Sequence, residues 1–338
     1  MRKKLFDYVI GNPPYQEETE SDSTRKPPVY NLFMDSAYEV ADKVELIHPA
    51  RFLFNAGYTP REWNEKMLND EHFKILEYEP DGTKIFSDTD IKGGLVISYR
   101  DDNKQYGPIG VFTKYVELNS ILKKVRNASG LYLDSIISSP LSYKVSPLMT
   151  QENPNLVGRL RSSAFTNLAD IFFEEIPEDG RNYIALIGLL DGKRVKRYVR
   201  SDYIIDAGGT LNKFTLLLAK ANGSGQFGET LSSTIIAEPG IGYTQTFIGI
   251  GKFDNRLEAE NTSIYIKTKF ARAMLGVLKI TQDCPAPKWK YVPLQDFTQN
   301  SDIDWSKSVH EIDLQLYRKY GLDEKEIEFI ESHVKEMA

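Results

Sequence analysis

Asn12, Pro13, Pro14 and Tyr15 combine polar, rigid and aromatic groups suited to chemistry on a planar amine. The exocyclic amine of adenine is a poor nucleophile because its lone pair is delocalised into the ring. The side-chain carbonyl of Asn12 and the main-chain carbonyl of Pro13 could each accept one of its N–H bonds. Two such acceptors would favour tetrahedral nitrogen and stabilise the positive charge that develops on methyl attack. Pro13 and Pro14 stiffen the loop, and the Tyr15 ring offers a face on which an extruded base could stack.

The elements before these residues place them at the end of a strand. Leu5 to Ile10 is an apolar run rich in aromatic and β-branched residues, and it ends at Gly11. This pattern predicts a buried strand followed by a loop at its carboxyl end, where ligands bind in open α/β sheets. The alternative interpretation is a strand followed by an ordinary Pro-Pro turn.

Composition narrows the class of protein. The 338 residues are 41% apolar and 27% charged, with a formal net charge of −6, as in a soluble globular chain. A single cysteine, Cys284, excludes an internal disulfide and a cysteine-cluster metal site. The four histidines show no metal-ligand spacing, and His48, before Pro49, is interpreted as a structural residue. No signal peptide or membrane-spanning run is recognised, so a cytoplasmic protein without membrane contact is expected.

Residues 1–128 alternate between strand and helix patterns. Helices are predicted at 29–40 and 61–68, and further strands at 44–49, 73–77 and 95–99. This alternation predicts a parallel, doubly wound sheet. Phe86 is a candidate second wall of a base pocket, although packing alone would also explain it. Gly93 and Gly94 permit a positive φ or a close backbone approach.

The chain changes character near residue 117. A helix is predicted at 117–126, and short strand-like runs follow at 183–188, 195–199, 215–219 and 233–237. Residues 261–280 read as one long amphipathic helix. These patterns predict a second module of mixed α+β structure.

Basic side chains in this second module are candidates for phosphate contact. The predicted DNA-binding residues are Lys92, which precedes this module, and Arg159, Arg161, Lys193, Arg194, Lys196, Arg197 and Arg200 within it. The last five fall within eight positions, with Tyr198 among them. A solvated charged face is the alternative interpretation of such a run.

Two further motifs suggest other sites. Phe247-Ile-Gly-Ile-Gly is similar to a glycine-rich cofactor loop, but no acidic residue follows at the distance that a ribose ligand requires. Asp81, Asp90 and Lys92 imitate a magnesium-dependent nuclease pattern. A nuclease therefore stays open as an alternative, as does an amino-methyltransferase that acts on protein glutamine or RNA.

Taken together, the motifs resemble the gamma-type N6-adenine DNA methyltransferases of type II restriction–modification systems. Phe6 to Gln16 is similar to their catalytic motif, and Phe86 to Gly94 to the loop before their last core strand. Segments at 268–272, 279–282, 292–297, 320–322 and 330–332 are similar to their C-terminal signature. By this resemblance, Phe247 to Gly251 belong to the part of the chain that recognises the DNA target, and not to a cofactor loop.

The resemblance implies a fold and a set of roles. The expected fold is α/β: a partial Rossmann-like class I methyltransferase sheet, followed by a mixed α+β target-recognition domain. The expected domains are the C-terminal half of a catalytic domain (1–128), a DNA target-recognition domain (129–260) and a helical C-terminal segment (261–338). Asn12 and Pro13 would hold the amino group of a flipped adenine in double-stranded DNA, and Tyr15 would stack on the base. Pro14 would complete the catalytic loop. S-adenosylmethionine would be the methyl donor.

The sequence departs from the family order in one respect. In gamma-type methyltransferases, the cofactor loop and the acidic residue that binds the ribose come about a hundred residues before the catalytic motif. Here eleven residues precede Asn12. A second polypeptide carrying the cofactor-binding half is therefore expected as a partner, and a restriction nuclease is a further one. The alternative is a non-catalytic DNA-recognition subunit, or a truncated relic that binds DNA without methylating it.

Overall fold

A computed structural model describes residues 4–17, 27–54, 58–86, 91, 93–139, 141–156, 158 and 160–337. The chain divides into two compact units, Met1–Asn119 and Ser120–Ala338. Both units mix helices with small sheets, so the molecule is of mixed α/β structure. No helix in the described ranges is long and apolar enough to cross a membrane. The predicted division into three domains stays a prediction.

The elements of the first unit follow the predicted order. They are β1 (Phe6–Gly11), α1 (Tyr30–Val40), β2 (Ala41–Pro49), α2 (Arg61–Leu68), β3 (Phe73–Glu79) and β4 (Leu95–Asp101). Single 3₁₀ turns lie at Arg51–Phe54 and Gly82–Lys84. The helix α3 (Val116–Ala128) runs through the boundary between the units.

The four strands form one sheet in the order β1, β2, β4, β3. β1 pairs with β2 in parallel, and β4 pairs antiparallel with both β2 and β3. The prediction of an all-parallel sheet was therefore wrong, because periodicity reports burial and not strand direction. β1, β2 and β3 nevertheless point the same way, so their carboxyl ends share one edge of the sheet.

The core of the first unit lies on one face of this sheet. Tyr30 and Met34 of α1 and Trp63 and Met67 of α2 pack with strand residues that include Val44. Both helices therefore cover the same face. A doubly wound sheet would carry helices on both faces, and the described residues place none on the other one. The prediction of a buried first strand was also wrong: every residue of β1 except Val9 is exposed.

The second unit holds several small sheets and a helical end. Its strands are β5 (Tyr143–Val145), β6 (Tyr183–Leu190), β7 (Lys193–Arg200), β8 (Ile204–Asp206), β9 (Phe214–Ala219), β10 (Ile235–Ala237), β11 (Ile241–Tyr243) and β12 (Phe247–Phe253). Its helices are α4 (Pro147–Glu152), α5 (Ala164–Asn167), α6 (Arg256–Lys267), α7 (Lys269–Gly276), α8 (Val309–Lys319) and α9 (Glu324–His333). The sheets have the orders β10-β9-β12, β11-β6-β7 and β5-β8.

The predicted long helix at 261–280 is two helices, α6 and α7, which meet at Thr268. Thr268 has a non-helical ψ of 148°, and its hydroxyl accepts the N–H of Ala271 at 3.1 Å. Asp313 of α8 accepts the N–H groups of Lys269 and Phe270 at 2.9 and 2.8 Å. These acceptors bind backbone N–H groups in the first turn of α7, which have no partner within the helix. They therefore stabilise the start of a new helix at this point.

The segment Phe247 to Gly251 is part of a strand and not a cofactor loop. It lies in β12 and pairs antiparallel with β9. Gly249 is required by packing, because a Cβ there would meet the Tyr243 hydroxyl at 2.1 Å. Gly251 has a φ of +76°, which glycine adopts at low cost, and the strand register shifts there.

Candidate active site

The loop Asn12 to Tyr15 follows β1 at the shared carboxyl edge of the sheet, as predicted. Gly11, the last residue of β1, pairs with Leu46 of β2, so the loop begins beside the end of β2. The Tyr15 carbonyl accepts the N–H of Val29 at 3.2 Å. This bond holds the end of the loop against the start of α1. The loop is therefore anchored by β1 at one end and by α1 at the other.

Asn12 and Tyr15 differ in exposure. Asn12 is exposed, whereas Tyr15 is half-buried and its phenolic oxygen is fully enclosed, with no hydrogen-bond partner among the described residues. Burial raises the pKa of Tyr15 to about 12, and the nearby Asn12 side chain opposes that rise. The phenol therefore stays neutral at physiological pH. The Asn12 amide stays accessible to a ligand from the solvent side.

A stacked aromatic pair joins the start of α1 to the end of β2. Tyr30 stacks on His48 with ring centroids 5.6 Å apart and planes at 7°. The His48 Nε2 atom lies 2.8 Å from the Ser98 hydroxyl, and Nδ1 lies 3.2 Å from the Pro49 carbonyl. Burial lowers the pKa of His48 to about 4, so the imidazole is neutral. His48 is a satisfied structural residue, as the sequence predicted.

Two residues that the sequence analysis did not single out lie at the start of α1. Tyr30 and Asn31 are 2% and 5% exposed. Within the described ranges, the Tyr30 hydroxyl and the Asn31 side-chain carbonyl are buried and have no hydrogen-bond partner. Buried unsatisfied polar atoms are uncommon and mark places that a ligand or water completes. The only sequence signal was their position near the start of the predicted helix at 29–40, which follows Pro27 and Pro28.

Phe86 and the glycine pair lie near the ends of β3 and β4. Phe86 is half-buried and donates its N–H to the Gly82 carbonyl at 2.9 Å. It makes no ring contact with Tyr15 in the part of the chain that is described, so its role as a second wall stays a prediction. Gly93 and Gly94 have φ of +91° and +79°, and a Cβ on Gly94 would lie 2.4 Å from the Glu79 carbonyl. The predicted need for glycine there is confirmed.

The predicted basic cluster of the second unit lies on β7, an edge strand. Arg197 is ion-paired with Glu174 at 2.6 Å, and Arg200 with Glu152 and Asp202, both at 2.6 Å. Arg194 donates to Ser232 and Ser233 at 2.8–3.3 Å.

These three arginines are therefore occupied within the protein. Lys193 and Lys196 are exposed and have no ion pair among the described residues. The ammonium of Lys196 lies 5.3 Å from the Tyr198 ring centre.

The other predicted basic residues are more scattered. Arg161 is exposed and makes no ion pair within the described ranges. Lys92 and Arg159 lie outside the described residues, as does Asp90 of the nuclease-like pattern. An apolar cavity of about 330 Å³ lies close to Arg161 in sequence, lined by Leu141, Tyr143, Lys144, Val145, Leu160 and Gln245. No pattern in the sequence predicted this cavity.

Comparison with protein families supports one class for the first part of the chain. Residues 1–86 match the family model of the Eco57I restriction-modification methylases. The match includes the Asn12 to Tyr15 loop and ends at Phe86. No curated protein matches the chain.

Among solved structures, a match is the ATP-dependent Type ISP restriction-modification enzyme LlaBIII bound to DNA. The identity is 12%, and the alignment covers 97% of this chain and 29% of that chain. The chain thus spans less than a third of that enzyme's length. The TM-score of 0.24 is too low for an argument about fold or site.

Proposed function

We propose that the chain is a component of a restriction–modification system that methylates the N6 amine of a flipped adenine in double-stranded DNA. The observation that carries this proposal is the Asn12 to Tyr15 loop at the carboxyl end of β1. The family-model match to restriction-modification methylases includes this loop and supports the class of reaction. The choice of adenine rests on the chemistry of the loop and on its resemblance to N6-adenine methyltransferases.

In this proposal the loop prepares the methyl acceptor. The Asn12 side-chain carbonyl and the Pro13 carbonyl accept the two N–H bonds of the amine and stabilise the charge that develops on nitrogen. The Val29–Tyr15 hydrogen bond of 3.2 Å holds these acceptors in place before the base arrives. The Tyr15 ring stacks on the extruded base. His48, with its pKa of about 4, is neutral and buried and is not the proton acceptor.

S-adenosylmethionine is the methyl donor in this proposal, and the described residues do not by themselves fit it. Near the carboxyl edge, the Asn31 side-chain carbonyl and the Tyr30 hydroxyl have no hydrogen-bond partner among the described residues, and a ligand could supply one. However, β1 is the outermost strand of its sheet, so a crevice at its carboxyl end has only one wall. The second wall must come from residues other than those described, which agrees with the proposed partner carrying the cofactor-binding half.

DNA binding in this proposal rests on the cations that the protein leaves unpaired. Lys193, Lys196 and Arg161 are exposed and have no ion pair in the described part of the chain. They are therefore the best candidates for phosphate contact, whereas Arg197 and Arg200 are held by carboxylates. A restriction nuclease as a further partner remains a proposal from the resemblance.

Substitution of Asn12 tests the proposed reaction. In the assembled system, Asn12→Ala should reduce methyl incorporation into unmethylated genomic DNA by about 100-fold or more, because an acceptor for the amine is lost. DNA affinity should be unchanged. Asn103→Ala is the matched control, since Asn103 is an exposed asparagine in a turn of the same unit. Full activity of Asn12→Ala would disprove the proposal, and a wild-type system that binds DNA without methylating it would support the binding-only alternative.

A further inference from the structure

The second unit contains an apolar cavity that takes no part in the proposed methyl transfer. Its volume is about 330 Å³, at the lower end of the range for small-molecule sites. We call it the Leu160 cavity, and it is lined by Leu141, Tyr143, Lys144, Val145, Leu160 and Gln245. The space is large enough for one planar ring.

The inner part of the Leu160 cavity is held in place by contacts within the unit. Tyr143 and Leu160 are 3% and 1% exposed and form its floor. The Tyr143 hydroxyl lies 2.7 Å from the Thr210 hydroxyl, and the Tyr143 ring packs edge-on against Tyr243 with centroids 5.2 Å apart. The strand β5, which carries Tyr143, is paired with β8. The cavity is therefore formed before a ligand arrives, as most small-molecule sites are.

Polar side chains that the fold does not use lie at the cavity and beside it. Lys144 is exposed and has no ion pair among the described residues, and the half-buried Gln245 side chain makes no hydrogen bond with them. The Gln245 backbone N–H donates to the Leu160 carbonyl at 2.8 Å and joins two lining segments. Arg161, directly after Leu160, is exposed and makes no ion pair within the described ranges. Apolar walls, an amide and two cations thus occur together.

This combination favours a ligand that is flat and apolar in its body, polar along one edge and negatively charged beside it. An apolar side chain of another protein would use neither the amide nor the cations. A fatty acid would use the walls and the cations, but it has no polar edge for the amide. One nucleotide of DNA has all three parts, because its base is flat, its base edge carries donors and acceptors, and its phosphates bind Lys and Arg.

Thymine fits the Leu160 cavity best among the four bases. It alone carries a methyl group, which proteins recognise through apolar contacts. Its N3–H and O4 are a neighbouring donor and acceptor, and the Gln245 amide offers a matching acceptor and donor. A base enters such a cavity only when it is unpaired, so the thymine is extruded from a duplex or belongs to a single strand.

We propose that the Leu160 cavity binds one extruded thymine of the DNA target site. Its methyl group lies against the apolar walls, its N3–H and O4 bond to the Gln245 amide, and its flanking phosphates contact Lys144 and Arg161. Thymine has no exocyclic amine, so the base in this cavity serves recognition and is not the methyl acceptor. The inference rests on the proposed function in taking DNA as the ligand.

Single-stranded oligonucleotides test the cavity without knowledge of the target sequence, because their bases need no extrusion. The full chain is titrated with oligothymidylate and oligodeoxyuridylate of about eight nucleotides, and fluorescence anisotropy gives the dissociation constants. We expect oligothymidylate to bind about fourfold more tightly, the value of one buried methyl group. Equal binding of the two by the wild type would overturn the proposal in favour of an occupant other than a base.

Leu141→Trp fills the cavity from its mouth, where Leu141 is 44% exposed. This variant should bind the two oligonucleotides equally, because the methyl group no longer reaches the walls. Leu257→Trp is the matched control, since Leu257 is 41% exposed and lies on α6. It should keep the fourfold preference. A preference that persists in Leu141→Trp, or is lost equally in both variants, would refute binding in this cavity.

Gln245→Met provides a second variant of similar length that lacks the amide. It should weaken the binding of both oligonucleotides by roughly three- to tenfold, because hydrogen bonds to the base are lost. The preference for thymine should remain, since the apolar walls are unchanged. Unweakened binding by Gln245→Met would exclude the amide from base recognition and overturn the proposed pose.

A single 5-iodouracil within the oligothymidylate locates the bound base, because the iodine takes the place of the methyl group. After irradiation, mass spectrometry should find the crosslink on Tyr143, the tyrosine of the cavity floor. Leu141→Trp should abolish this crosslink. Crosslinks confined to tyrosines outside the cavity, such as Tyr198 on β7, would refute the proposal.

Failure of this proposal and failure of the proposed function give different results. A Tyr143 crosslink and a thymine preference, without methylation of DNA by the assembled system, would refute the proposed function and leave the cavity assignment standing. Methylation of the same target sequence at the wild-type rate by a system that carries Leu141→Trp would refute the role of the cavity in recognition and leave the function standing.

Discussion

The proposed roles of Asn12 and Tyr15 follow from the chemistry of their side chains. The exposure of each side chain limits what it can contact. Asn12 is exposed as an acceptor should be, whereas the hydroxyl of Tyr15 is enclosed and has no hydrogen-bond partner in the part of the chain that is described. An unsatisfied buried hydroxyl destabilises the folded state relative to an apolar group of the same shape. The aromatic ring and the hydroxyl of Tyr15 can therefore be tested separately.

Tyr15→Phe keeps the ring and removes the hydroxyl. Stability in urea should be unchanged or higher by about 1 kcal/mol, because a buried polar group without a partner is lost. Methyl incorporation should stay close to that of the wild type. Tyr15→Ala should lower kcat/KM by an amount equivalent to roughly 1–3 kcal/mol, the usual value of base–aromatic stacking. If Phe and Ala were equally harmful, the hydroxyl and not the ring would be essential.

At the scale of elements, the Thr268 side chain contributes to the interruption between α6 and α7, beside Asp313. The Thr268 hydroxyl donates to the Tyr265 carbonyl at 2.7 Å and accepts the Ala271 N–H at 3.1 Å. Thr268 is fully buried. The apolar period continues across it, which is why the sequence predicted one helix over 261–280.

Thr268→Ala should therefore destabilise the second unit by about 1–2 kcal/mol, the usual cost of a lost N-cap. Thr268→Ser retains the hydroxyl and should recover most of this loss. Urea unfolding followed by tryptophan fluorescence measures both variants. Equal stability of the Ala and Ser variants would show that the hydroxyl does not stabilise the start of α7.

The basic residues of β7 form two groups. Lys193 and Lys196 are exposed and have no ion pair among the described residues, whereas Arg197 and Arg200 are paired with carboxylates. Lys193→Gln with Lys196→Gln should weaken DNA binding and reduce the slope of log K against log salt by about 2, as expected for two lost phosphate contacts. Arg197→Gln is the matched control, because Arg197 already pairs with Glu174 at 2.6 Å. Its slope should stay unchanged. Fluorescence anisotropy at several salt concentrations gives the slopes, and an unchanged slope in the double variant would exclude β7 from the DNA interface.

For the whole molecule, His48 of the first unit and Asp313 of the second should make opposite contributions to stability in acid. Burial lowers the pKa of His48 in the first unit from 6.5 to about 4, so the unfolded chain takes up the proton first. The stability from a neutral His48 is complete above pH 6.5 and is lost as pH falls towards 4. Burial raises the pKa of Asp313 in the second unit from 3.8 to about 6. There the folded state takes up the proton first, and stability rises as pH falls from 6 to 4.

Between pH 7 and pH 4.5 the first unit should therefore lose roughly 2–3 kcal/mol through His48. His48→Asn should be less stable at pH 7 but should not show this loss on acidification. Asp313→Asn should remove the opposing gain in the second unit. Urea midpoints at the two pH values measure each effect, and an unaltered pH dependence in both variants would show that these buried groups do not govern acid stability.

Much of the first unit was predictable because local patterns determine it. The apolar period and the turn residues located the ends of α1 and α2 to within one residue. They also identified all four strands of the sheet, with errors of up to three residues at the strand ends. The glycine pair at 93–94 and the structural His48 were also recognised correctly. Strand direction was not predictable, since an antiparallel β4 and a parallel one carry the same buried pattern. The exposure of β1 was missed because an apolar run does not reveal whether a partner strand covers it.

The sequence by itself determined the candidate chemistry: a rigid Asn-Pro-Pro-Tyr loop after a strand, and the helix and strand positions that place it at a sheet edge. Only the tertiary structure decided which groups are free to act. It paired Arg197 and Arg200 with carboxylates. Among the described residues, it left Lys193 and Lys196 without an ion pair and made β1 the outer strand of its sheet. These outcomes depend on contacts between residues far apart in the chain, and local spacing carries no information about such contacts.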